Sequence, residues 1–112
     1  MALNHVNLTV ADAEAAASFL TTYLGMTEMG RRGRNMVFLT DENGIVLALM
    51  KGKDASYPVN FHIGFIQADA AAVDAIHARL VADGFEVEAP SEQHAYTFYV
   101  TAPGDVTVEI LA

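Results

Sequence analysis

Asn4-His5-Val6-Asn7 returns later in the chain as Asn60-Phe61-His62-Ile63-Gly64, with the two histidines 57 residues apart. The same offset carries Ala11-Asp12 onto Ala68-Asp69, and the apolar set Ala16, Phe19, Leu20, Tyr23, Leu24 onto Val73, Ile76, His77, Leu80, Val81. Gly25 and Gly84 lie 59 apart, and Met36-Val37-Phe38-Leu39-Thr40 matches Thr97-Phe98-Tyr99-Val100-Thr101 at an offset of 61 that then holds to the end. A drift from 57 to 61 is what small loop insertions produce in an internal repeat. The chain reads as one module written twice.

Working outward from that stretch, each module reads as β-α-β-β-β. Leu3 to Val10 alternates, with Val6, Leu8 and Val10 on one face and His5, Asn7 and Thr9 on the other, the pattern of a half-buried strand. Asp12 is placed to cap a helix whose apolar residues from Ala16 recur at helical spacing and which Gly25 stops. Strands at Met26–Gly30 and Asn35–Thr40 flank a Gly-Arg-Arg-Gly-Arg turn, and Asp41-Glu42-Asn43-Gly44 leads into Ile45–Met50. In the second module the spacing predicts strands at Val59–Gln67, Phe85–Ala89, Tyr96–Thr101 and Val106–Leu111, with a helix over Asp69–Asp83. The expected organisation is a single α+β domain over 1–112, built from module 1 at 1–52, a linker at 53–58 and module 2 at 59–112.

Composition narrows the function classes. At 112 residues with 53% hydrophobic and 18% charged residues, the chain is a folded domain and not a disordered segment. The absence of cysteine removes disulfides, thiolate metal sites and cysteine nucleophiles. A net charge of −8 repels a phosphate backbone, so nucleic acid is not an expected partner. The longest apolar run, Ile45 to Met50, is too short for a bilayer, and the N-terminus has no basic, then apolar, leader pattern. The expectation is a cytoplasmic protein with a small-molecule partner.

The facing of the strands then singles out three polar residues. His5 and His62 occupy equivalent positions, each opposite the apolar stripe of its strand. Glu109 alternates likewise between Val108 and Ile110, which belong to the helix-packing face. A carboxylate on the inner face is costly unless it is paired or bound to a cation. Two imidazoles and one carboxylate with open positions suit Fe(II), and also Mn, Co, Ni or Zn. The alternative is two neutral core histidines and a solvated glutamate.

A β-α-β-β-β repeat with a histidine in the first strand of each half, closing on Phe98-Tyr99-Val100-Thr101-Ala102-Pro103-Gly104 and Val108-Glu109-Ile110, resembles the vicinal oxygen chelate superfamily. That group holds glyoxalase I, extradiol dioxygenases, fosfomycin-modifying enzymes and bleomycin-resistance proteins. The resemblance implies two modules forming a curved mixed sheet with helices on the convex face, a homodimer, and His5, His62 and Glu109 as ligands of a divalent metal. It also implies a fourth side-chain ligand in glyoxalase I, at the repeat equivalent of Glu109. Here that residue is Ala48, which cannot coordinate. Three ligands match the extradiol dioxygenases and fosfomycin thiol-transferases better.

Extradiol enzymes carry a tyrosine ten residues before the glutamate, and Tyr99 stands there as the candidate catalytic hydrogen-bond donor. Asn7, Thr97 and Tyr99 are the candidate substrate-lining residues. His94 is the nearest spare imidazole, at the entry to a pocket strand; it reads as a loop histidine of no special role, with general acid/base work as the alternative, and His77 reads as a structural residue on the helix. Arg31, Arg32 and Arg34 read as a solvated hairpin turn. Glu86, Glu88 and Glu92 stand where a phosphonate cradle would want a lysine, which disfavours fosfomycin transfer. The function expected is a metal-dependent, dioxygenase-like or lyase-like enzyme. A non-catalytic, bleomycin-resistance-type protein sequestering a drug or metabolite is the alternative, favoured by the acidic charge.

Overall fold

The computed structural model describes residues 1–112. The element order is β1 (His5–Val10), α1 (Ala13–Leu24), β2 (Thr27–Arg32), β3 (Met36–Thr40), β4 (Val46–Lys51), β5 (Ile63–Ile66), α2 (Ala70–Ala82), β6 (Ser91–Glu92), β7 (Tyr96–Ala102) and β8 (Val106–Leu111). The fold is α+β, with two four-stranded mixed sheets ordered β1-β4-β3-β2 and β5-β8-β7-β6. In both, the first strand of the module runs parallel to the last, and the remaining pairs are antiparallel. Contacts divide the chain into two units: Met1–Pro58 with Pro103–Asp105, and Val59–Ala102 with Val106–Ala112. No helix is long and apolar enough to cross a membrane.

The repeat extends to individual residues. Asp12 and Asp69 both cap their helices, each carboxylate accepting from a backbone N–H three residues on, Ala15 and Ala72. The first unit buries Val37, Leu39, Leu47 and Leu49; their equivalents Phe98, Val100, Val108 and Ile110 are buried in the second. In the first unit Ala13, Ala16, Ala17, Phe19 and Leu20 of α1 are buried, and in the second Val73 and Leu80 of α2. Alanines at these positions favour helix and let α1 lie close on β3 and β4. Gly25 ends α1 in the left-handed region, at φ 69°, where a side chain would be strained.

Three local readings are corrected. The stretch Phe85–Ala89 is not a strand, although Phe85 and Val87 are half-buried and Glu86 and Glu88 exposed as alternation requires. Alternation reports which side meets protein, not whether the backbone pairs, and the ladder to β7 starts only after Pro90, at Ser91↔Thr97. The strand expected from Val59 begins at Ile63, because residues 59–60 form a turn after Pro58. Arg31 and Arg32 are not turn residues: they lie in β2 opposite Val37 and Met36, and the turn is 33–35. Arg31 is not left to solvent either, since it pairs with Glu14 at 2.7 Å and with Glu28.

Candidate functional site

Register decides what surrounds Glu109. On β8 it stands across from Tyr99 of β7 on one side and Gly64 of β5 on the other. Val108 and Ile110 are buried on the face that meets α2, so alternation sends Glu109 to the opposite face. It is nonetheless only 4% exposed, because polar side chains close around it. His94 Nε2 lies 2.6 Å from Oε2, and the Thr97 hydroxyl donates to the same oxygen at 2.7 Å. His62 Nε2 lies 3.2 Å from Oε1.

The tautomer of His62 follows from its other nitrogen. Nδ1 lies 2.9 Å from the Asn60 carbonyl oxygen, which can only accept, so Nδ1 carries a proton. In the neutral ring Nε2 is then a bare lone pair aimed at a carboxylate oxygen. Two electron-rich atoms so placed repel unless a proton or a cation lies between them. His5, in the first unit, has its Nδ1 3.0 Å from Asn4 Oδ1, a side-chain partner in place of a backbone carbonyl. Ligating histidines are characteristically oriented in this way by an acceptor on the second nitrogen.

The donors around Glu109 act on its acidity. Burial pushes its carboxyl up, but the Thr97, His94 and Tyr99 hydrogen bonds outweigh burial, and the carboxyl ends below its ordinary value. The Tyr99 phenol moves the other way, raised first by burial and then by its bond to Glu109. It is therefore a proton donor at neutral pH. Tyr99 also packs edge-on to the His62 ring, with centroids 5.3 Å apart.

Of the expected site residues, the second unit thus brings together His62, Glu109, Tyr99 and Thr97. Thr97 is fully buried and its hydroxyl is committed to Glu109 Oε2, with Ile110 O at 3.1 Å, so its part is to hold the carboxylate. His5 and Asn7 belong to β1 of the first unit and are exposed. No three His, Asp or Glu side chains are grouped as a metal site by themselves. Ala48 is buried between Asn7 of β1 and Phe38 of β3, the register position that Glu109 holds in the second sheet.

The sequence marks His94 as a spare imidazole near a pocket strand but gives no sign of its contact with Glu109. This histidine sits in the turn between β6 and β7, where the Gln93 N–H donates to Ala95 O at 2.9 Å. A spare histidine next to a hairpin that leads into Thr97 and Tyr99 was the available signal. His77 packs edge-on to Phe98, with centroids 5.2 Å apart, and its Nε2 is buried without a partner. Beside Tyr99 a cleft of about 270 Å3 opens, lined also by Phe85, Glu86, Val87, Glu88 and Thr107.

Comparison with known proteins agrees with this architecture. A possible glyoxalase from Bacillus cereus is 49% identical, with a TM-score of 0.96 over 100% of this chain and 99% of that one. Lactoylglutathione lyase from Agrobacterium tumefaciens is 22% identical, with a TM-score of 0.77 over 98% and 92% of the two chains. The fosfomycin resistance protein FosX from Listeria monocytogenes, solved with Mn(II) and 1S,2S-dihydroxypropylphosphonic acid, is 21% identical, with a TM-score of 0.83 over 99% and 91%. These last two share the fold. A comparison with curated protein sequences finds no match. The family model that does match covers residues 2–110, and the chain belongs to the Glyoxalase/Bleomycin resistance protein/Dioxygenase superfamily.

Proposed function

We propose that this protein is a divalent-metal-dependent enzyme with a dioxygenase-like or lyase-like reaction on a small oxygenated molecule. His62 and Glu109 would hold the ion, and His5, at the equivalent repeat position, is the third proposed ligand. The observation that carries the reading is the 3.2 Å approach of His62 Nε2 to Glu109 Oε1, with the other ring nitrogen anchored on the Asn60 carbonyl. A metal bound there supplies Lewis-acid polarisation of substrate oxygens, and O2 binding where the metal is iron.

The chain's own residues supply the rest. Tyr99 is the candidate catalytic residue: its single phenolic proton, directed to Glu109 in the free protein, would turn to a substrate oxygen when substrate binds. Asn7 is a proposed substrate contact, and Thr97 holds Glu109 in place. Glu86 and Glu88, which line the cleft beside Tyr99, argue against an anionic substrate such as a phosphonate. Ala48 leaves the glyoxalase I ligand set one side chain short. In this reading the protein acts as a homodimer, and a monomer mass by light scattering at micromolar concentration would contradict that part.

The acidic charge also favours a second reading, a binding protein that sequesters a cationic drug or metabolite. Elemental analysis of the purified protein separates the two. One divalent ion per chain, lost in His62→Ala, supports the enzyme. No metal, together with thermal stabilisation by bleomycin-like cations, supports the binder.

A further inference from the structure

The second unit differs from the first by a whole group of residues, not by Glu109 alone. At the repeat offset that aligns the last strands, His94, Thr97, Tyr99 and Glu109 correspond to Gly33, Met36, Phe38 and Ala48. The structure confirms the alignment, since Tyr99↔Glu109 and Phe38↔Ala48 are the same cross-strand pair. One unit carries four polar groups where the other carries none. His94 is the member of this set that the proposed metal site leaves unexplained.

The two oxygens of Glu109 are treated differently. Oε2 receives both strong contacts, His94 Nε2 at 2.6 Å and Thr97 Oγ1 at 2.7 Å. Because an ionised carboxylate only accepts, His94 Nε2 carries the proton in this contact. At 2.6 Å the pair is a charge-assisted hydrogen bond, too close for two ligands of one ion, which stand near 3 Å apart. Oε1 is the oxygen that meets the His62 lone pair. The hairpin turn keeps His94 in place through the Gln93 N–H to Ala95 O bond.

We infer that His94 is a positioning residue: with Thr97 it occupies Oε2, so that Glu109 offers a metal ion Oε1 alone. The inference rests on the metal-site reading above. It assigns His94 no contact with the metal or with substrate. Outer partners of this kind typically change metal affinity 10–100-fold, in roughly that range, when they are removed. They also set how many carboxylate oxygens coordinate, which is visible in the spectrum of a transition ion.

The test uses Co(II) as the probe, titrated into metal-free full-length protein while its visible absorption is recorded. The His94 side chain is 54% exposed, so replacing it leaves the core intact. His94→Leu is expected to weaken Co(II) binding about 10–100-fold and to alter the absorption band, because the freed Oε2 can then coordinate. His94→Gln, whose amide N–H can reach the same oxygen, is expected to recover most of both. Thr97→Val is expected to move the band in the same direction as His94→Leu. Unchanged affinity and spectrum in His94→Leu, with binding abolished in His62→Ala, would overturn the role of His94 and leave the metal site standing. Loss in His94→Leu as complete as in His62→Ala, without recovery in His94→Gln, would make His94 a ligand and overturn the inference in the other direction. Wild-type affinity in His62→Ala would bring down the metal-site reading itself, and this inference with it.

Discussion

The two units share caps, strand order and core positions, yet only one is furnished for polar chemistry. In the first, Ala48 is flanked by Asn7 and Phe38. In the second, Glu109 is flanked by Gly64 and Tyr99. The carboxylate of the second unit is accommodated by the donors around it, the Thr97 hydroxyl and His94 Nε2, which the first unit lacks. Fold and function are separable here. Apolar positions repeat because the sheet must pack on a helix, whereas polar ones diverge because only one inner face holds the carboxylate.

Copying the glutamate without its surroundings should be the most damaging way to break this comparison. Ala48→Glu places a carboxylate at a buried position with no Thr97 or His94 equivalent. We expect a loss of about 3–5 kcal/mol in urea denaturation, the scale of an uncompensated buried charge. A loss below 1 kcal/mol would mean that the first unit can satisfy a carboxylate too, and the contrast between the units would fail.

Where the units are alike, they should respond alike. Asp12→Ala and Asp69→Ala each remove one helix cap bond, made at 3.0 and 2.9 Å. Each should cost about 1 kcal/mol, measured by chemical denaturation, and a disparity of more than twofold would show that the shared scaffold is not energetically equivalent.

The Arg31 cluster, present in the first unit alone, should matter least. The hydrogen bond from Arg31 holds the Glu28 carboxyl below its usual value against slight burial. A folded pKa below the unfolded one contributes stability above the ordinary carboxylate range, lost as pH falls through the lower folded value. Arg31→Ala should thus lower the melting temperature slightly at neutral pH, less in high salt, and not at all once the glutamate is protonated. A larger drop at low pH than at pH 7 would reverse that sign.

Much of the scaffold was legible because it obeys short-range rules. Alternation located β8 to the residue, and the caps Asp12 and Gly25 stand where their chemistry places them, whereas Asp69, expected inside the second helix, caps it instead. Residues 85–89 show the limit of the method, since a chain segment can alternate against protein without joining a ladder. His94 shows another. It lies in a turn, outside any alternating pattern, and its approach to Glu109 depends on the Glu92↔Tyr96 register of a two-residue strand. Thr97 was legible as an inner-face residue, but its burial, and so its commitment to the carboxylate, was not.

The most direct test of the account is the melting temperature of the protein with Mn(II) and with a chelator, in wild type and in His62→Ala. Free metal a hundredfold above its dissociation constant adds about 2.7 kcal/mol, on the order of 10 °C for a domain of this size. Wild type should lose that increment on chelation and regain it with Mn(II), while His62→Ala should melt at one temperature in both conditions. A wild type indifferent to chelator and Mn(II), or a His62→Ala variant with the full increment, would contradict the claim that the His62–Glu109 pair is a metal site.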